Sequence, residues 1–209
     1  MNNTILRKTV IALAGLTFSG AVAAGPPAAA MAAPSTPAQP AVTQVAEKPT
    51  AHEVAAKPAD KPGKDKLMPH GVQGEQSSIP LSGEQVANSK AIIAATKKAG
   101  MDERAAVVAI ATSLQESKLE NLGHLGDTND HDSQGLFQQR PSSGWGSVEQ
   151  ITDPEYSTTA FLSALKRVDG WHDMPLTEAA QAVQVSAYPF HYAQWETQAA
   201  NLVADHWNS

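Results

Sequence analysis

The sequence predicts an all-α fold: a single helical domain behind a signal peptide and a disordered Pro/Ala-rich tether. Three observations carry that expectation. No segment sustains the period-two alternation of a half-buried strand. Helix-start signals recur from Ser82 onward, and helix-period apolar residues follow them. Ten of the fourteen prolines fall within residues 25–80, a span with no Phe, Trp or Tyr, so the chain changes character near residue 81.

Residues 1–24 have the form of a secretory signal. Arg7 and Lys8 supply the positive start, an apolar stretch follows, and Ala21-Val22-Ala23 is an A-x-A cleavage site. The apolar run falls short of the ~20 residues a membrane span needs. The expected location is therefore secreted or in the cell wall, with no membrane contact after signal cleavage. Residues 25–80, rich in Ala, Pro and Lys, cannot bury enough apolar surface to offset their ordering entropy. They are expected to form a disordered linker, partly polyproline II. Residues 81–209 are the expected domain.

Within that domain, Ser82-Gly83-Glu84-Gln85 has the capping-box form and opens a helix to about Ala99, closed by Gly100. Asp102 caps a second helix, with Glu103 in its first turn, running to about Ser117. Residues 118–152 are rich in Gly, Asp, Asn and Ser and read as irregular. Asp153-Pro154 starts a third helix that continues to about Val168. After a loop at 170–175, Thr177 caps a fourth helix ending before Pro189. A fifth covers about 191–206.

Composition narrows the function classes. There is no cysteine, which excludes disulfides, thiolate chemistry and a lipoprotein attachment site. Residues 81–209 carry eight Lys and Arg against sixteen Asp and Glu. A domain this acidic, with no basic stripe, is not expected to bind nucleic acid, and a neutral substrate suits it better. No cofactor is expected, and the chain is expected to be a monomer.

The second helix holds the chemistry. Val107, Ile110, Ala111 and Leu114 form one apolar face, and Val108 and the alanines make the rest nearly apolar, so the helix is expected to be central. Glu116 lies near its C-terminal end, in line with the small residues Ala109, Thr112 and Ser113. Partial burial and the negative end of the helix dipole both disfavour a charged carboxylate there. A carboxylic acid that keeps its proton near neutral pH suits general-acid work on a glycosidic oxygen. The other reading of Glu116 is a solvated side chain at a fraying helix end, paired with Lys118.

A second motif, Ser133-Gln134-Gly135-Leu136-Phe137-Gln138-Gln139-Arg140-Pro141, bears on that choice. With Glu116-Ser117 and Asn121 upstream, the chain resembles the lysozyme-like lytic transglycosylases and related peptidoglycan hydrolases. Their pattern is Glu-Ser at the end of a buried helix, an Asn, then Gly-Leu-x-Gln and a Pro. The segment from Asp130 to Gly146 is also similar to secreted lysozyme-like domains of high-GC Gram-positive bacteria. Against the transglycosylase pattern, Asn121 sits one residue late, Leu122 replaces a Pro, and the loop before Gly135 is longer. The late Ala-Tyr-Asn-Ala-Gly motif is echoed only by Ala187-Tyr188-Pro189.

The resemblance implies cleavage of the β-1,4 bond in peptidoglycan glycan strands. Glu116 would protonate the oxygen between N-acetylmuramic acid and N-acetylglucosamine. It would then, as a base, take the proton of the muramic C6 hydroxyl, closing a 1,6-anhydro ring. Hydrolysis would instead use a second carboxylate, at ~5–5.5 Å for retention or ~6.5–9.5 Å for inversion. Asp127, Asp130 and Asp132 are the candidates, and they also read as a solvated turn cluster. By the same resemblance Gln138 lines the cleft, or else braces its loop. Ser117 orients Glu116, or else bonds backbone. Asn121 and Tyr188 are further candidate substrate contacts, and Phe137, Trp145 and Trp171 offer ring faces to sugars or belong to the core.

No metal site is expected. Residues 124–132 mix His and Asp, but they lack the glycine and glutamate of a Ca²⁺ loop and the ligand spacing of a Zn²⁺ site. Two other functions stay open: a wall-binding module without turnover, and a secreted helical interaction protein.

Overall fold

The computed structural model describes residues 60–209. The signal peptide expected at 1–24 and most of the expected linker lie outside the described residues. Within them the chain is all-α. The helices are α1 Lys64–Leu67, α2 Gly83–Lys98, α3 Glu103–Ser117, α4 Val148–Ile151, α5 Pro154–Leu165, α6 Leu176–Gln184 and α7 Glu196–His206. No strand occurs among the described residues, where Gln134 and Gln139 form an isolated antiparallel bridge. None of these helices is long and apolar enough to cross a membrane.

Local sequence explains the helix starts. The Ser82 hydroxyl accepts from the Gln85 N–H at 3.2 Å, and the Ser82 N–H donates to Gln85 Oε1 at 2.7 Å. This is the reciprocal capping box that began the sequence reading of α2. Gly100, at φ 67°, turns the chain back, and Asp102 then caps α3 by accepting from the Ala105 N–H at 3.1 Å. Asp153 does the same for α5, accepting from the Tyr156 N–H at 2.6 Å. α3 is the central helix: residues 104–114 are all buried, and α1, α2, α5, α6 and α7 pack around it.

Three expectations need correction. Thr177 is not a cap: α6 begins at Leu176, and the Thr177 hydroxyl donates to the Pro189 carbonyl at 2.6 Å, tying the helix to a later loop. The helix ends before Pro189 as expected, at Gln184, where Val185 turns left-handed at φ 49°. The segment read as irregular contains α4, opened by a second capping box between Ser147 and Gln150.

The third correction moves the domain edge. Residues 60–80, assigned to the linker, pack on the helical body. Leu67 is buried in the core, and its carbonyl accepts from Arg104 Nη1 at 2.9 Å. The Ser77 N–H donates to the Gln194 carbonyl at 2.7 Å. Ile79 and Gln198 exchange two hydrogen bonds, at 3.1 and 2.8 Å. Composition missed this strap because its polar backbone is satisfied by groups more than a hundred residues away in sequence.

Candidate active site

Glu116 sits in the last turn of α3 and is half-buried. The buried Tyr192 donates its hydroxyl to Glu116 Oε1 at 2.8 Å. Burial, and then the neighbouring Glu116 carboxylate, push the Tyr192 phenol far above its ordinary pKa. Tyr192 therefore stays a neutral O–H donor throughout the working pH range.

The neighbour Gln115 fixes where Tyr192 can stand. Its Oε1 accepts from the Trp195 indole N–H at 2.9 Å and from Gln194 Nε2 at 3.1 Å. These bonds clamp the turn Ala193–Trp195 to the end of α3. Lys118 closes that end in a left-handed conformation at φ 59°, and its ammonium donates to the Leu114 carbonyl at 2.9 Å. The same ammonium lies 4.7 Å from the Trp195 ring centroid. A cation on the last carbonyls offsets the negative helix end beside Glu116.

The Gly-Leu-Phe-Gln segment docks on this helix end. Ser117 Oγ lies 2.8 Å from the Leu136 carbonyl and 3.2 Å from that of Ser113, so it pins loop to helix through the backbone. Gly135 stands at φ 76°, and a Cβ there would fall 2.0 Å from the Ile151 carbonyl oxygen. Only glycine fits this approach. Gln138, itself at φ 48°, donates Nε2 to the Gly135 carbonyl at 3.1 Å, and Asn121 donates Nδ2 to the Thr152 carbonyl at 2.6 Å. Both amides brace the loop.

Of its two readings Phe137 takes the core one, which corrects its place among the substrate contacts. It is 1% exposed and stacks on Phe161 with centroids 4.9 Å apart, so its ring is core and offers no face to a ligand. Trp145 and Trp171 are half-buried against the edge of the core. Tyr188 is half-buried and stacks on His191, with centroids 4.9 Å apart.

The three aspartates differ among themselves. Asp132 accepts from Arg140 Nε at 2.8 Å, from the Ser142 N–H at 2.8 Å and from the Ser142 hydroxyl at 2.9 Å. Burial alone would raise its pKa, but the Arg140 and Ser142 donors outweigh it and hold the carboxyl well below the usual range. Asp132 is a loop clamp rather than a poised second carboxylate. Asp130 pairs with His131 at 2.8 Å on the surface, and Asp127 is exposed in the 3₁₀ turn Gly126–Thr128. Among the described residues no group of three His, Asp or Glu side chains is placed to hold a metal ion.

A cavity of about 240 Å³ opens between the start of α2 and the chain just after Glu116, lined by Ser82, Gln85, Leu119, Glu120 and Asn121 among others. Sequence reasoning missed Tyr192 and the Gln115 clamp, because both join residues more than seventy positions apart. The signal in the sequence was the pair Tyr192 and Trp195, polar-tipped aromatics three apart on either side of Ala193 and Gln194. No protein-family model matches the chain, and no curated protein matches it.

Proposed function

We propose that this domain is lysozyme-like and cleaves the β-1,4 glycosidic bond of peptidoglycan glycan strands, with Glu116 as acid and then base. One observation carries the reading: a half-buried carboxylate at the end of the central helix, held on one oxygen by a buried phenol that stays protonated. Tyr192 fixes the orientation of Glu116 without competing for its proton. Proton transfer needs such a fixed heavy-atom geometry.

The aspartates favour the route that needs one carboxylate. Asp132 is committed to Arg140 and Ser142, and Asp127 and Asp130 lie on an exposed loop. Glu116 gives its proton to the departing sugar oxygen, and the muramic C6 hydroxyl attacks the anomeric carbon. The same carboxylate takes the hydroxyl proton, so no water is consumed and the product ends in a 1,6-anhydro ring. The signal-like residues 1–24 fit work outside the cell membrane.

A wall-binding module without turnover is the second reading. It draws on the lengthened acidic loop before Gly135 and on the faint echo of the late motif at Ala187-Tyr188-Pro189. Incubating the purified protein with sacculi and analysing released muropeptides by mass spectrometry separates the two. Anhydro-ended products support the lyase, reducing ends indicate hydrolysis, and binding without products selects the module. Neither binding nor products would reject both.

A further inference from the structure

We infer that the loop at residues 185–191 is a sugar-binding platform, in which Phe190 and the stacked rings of Tyr188 and His191 seat one ring of the glycan strand beside Glu116. The inference rests on the proposed glycan reading and adds residues to it. Phe190 is 74% exposed and Val185 is 69% exposed, the two largest exposures among the large hydrophobic side chains of the described residues. Both fall in one short loop, whereas Val72, Leu125, Val148 and Tyr156 are scattered over separate segments. Isolated exposed apolar residues need no explanation, but a cluster with aligned rings does.

The loop is held, not slack. Gln181 Nε2 donates to the Ser186 carbonyl at 2.8 Å, and the Thr177 hydroxyl donates to the Pro189 carbonyl at 2.6 Å. The Tyr188 N–H donates to the Ser186 hydroxyl at 3.2 Å, and the His191 N–H to the Tyr188 carbonyl at 3.2 Å. Val185 enters the loop left-handed at φ 49°, a strained choice for a β-branched residue. Such strain persists only where the surroundings impose it, and it gathers at binding sites. The exposed rings are thus presented by a braced backbone.

Its position is set by the same bonds that build the site. His191 directly precedes Tyr192, and Tyr192 donates to Glu116 at 2.8 Å. Gln184 Nε2 donates to the Phe137 carbonyl at 3.1 Å, joining the start of the loop to the Gly-Leu-Phe-Gln segment. The loop is thus tied at both ends, to the Gly-Leu-Phe-Gln segment and to the partner of Glu116. Residues 185–191 contain no Lys, Arg, Asp or Glu, so the surface favours an uncharged ligand with apolar C–H faces, as a pyranose ring presents. The absence of basic residues in the loop disfavours a lipid or nucleic-acid surface.

The test uses the full chain carrying Glu116→Gln, which stops turnover, and peptide-free glycan strands with their lactyl carboxyls capped as amides as the probe in calorimetry. Adding Phe190→Ala or Tyr188→Ala should weaken binding about five- to tenfold, the worth of one aromatic contact. Tyr156→Ala, on another segment, should leave affinity unchanged. Affinity unaltered by Phe190→Ala would overturn the platform while leaving the glycan function standing if the wild-type chain still cleaves the strands. A wild-type chain that neither binds nor cleaves them would overturn both.

Discussion

The two ends of α3 each hold a carboxylate against a partner, and they do so in opposite ways. At the N-terminal end Arg104 and Glu196 meet at 2.6 Å, each 1% exposed, with the Leu67 carbonyl on the same guanidinium nitrogen. At the C-terminal end Glu116 meets the neutral Tyr192 phenol at 2.8 Å and keeps partial access to solvent. The two partners, Tyr192 and Glu196, are only one helical turn apart in sequence. Full burial with a formal cation makes a lock that no substrate can reach. Partial burial with a neutral donor leaves a carboxylate oriented yet accessible. Similar chemistry therefore serves architecture at one end and reactivity at the other.

The comparison breaks first at the lock. Glu196→Ala leaves the Arg104 guanidinium buried and uncompensated, and should cost about 3–5 kcal/mol in urea unfolding. A loss below about 1 kcal/mol would show that the pair does not hold the helix end. Gly135→Ala comes next, because its Cβ meets the Ile151 carbonyl oxygen and its backbone is left-handed. We expect at least about 1–3 kcal/mol of destabilisation and a lowered thermal midpoint. Tyr192→Phe sharpens the other end. It should change stability by only about 1 kcal/mol, yet slow glycan cleavage at least about tenfold if proton transfer depends on the orientation of Glu116.

The smallest effect concerns Asp132. Its pKa is lowered in the folded state, so its stabilising contribution is present above the unfolded value of ~3.9 and is lost as pH falls through the folded value. Asp132→Asn should cost less than about 1 kcal/mol at pH 7, because the side chain is partly exposed. The gap between variant and wild type should narrow as urea midpoints are followed from pH 4 downward. A gap that widens toward acid would contradict the clamp.

Much of the helical frame was legible because its signals are local. Ser82 with Gln85, Asp102, and Asp153 with Pro154 each satisfy helix-end groups within three residues. The same signal announced α4 at Ser147 and Gln150, but the surrounding Gly and Ser residues masked it. The strap at 60–80 was not legible, since Leu67 is held by Arg104, and Ser77 and Ile79 by partners near the far end of the chain. The position of Glu116 was readable from helix periodicity, whereas its partner Tyr192 required the fold to bring two distant segments together. Phe137 stayed open between cleft and core because its cover, Phe161, lies on a distant helix.

The most direct measurement compares wild type with Glu116→Gln on sacculi, with thermal midpoints confirmed equal. The carboxylate-to-amide change keeps the shape and an acceptor for Tyr192 but removes the transferable proton. Wild type should release soluble anhydro-muropeptides, and the variant should release none above buffer while still binding the wall. Equal release by both proteins would contradict the assignment of Glu116 as the acid and base.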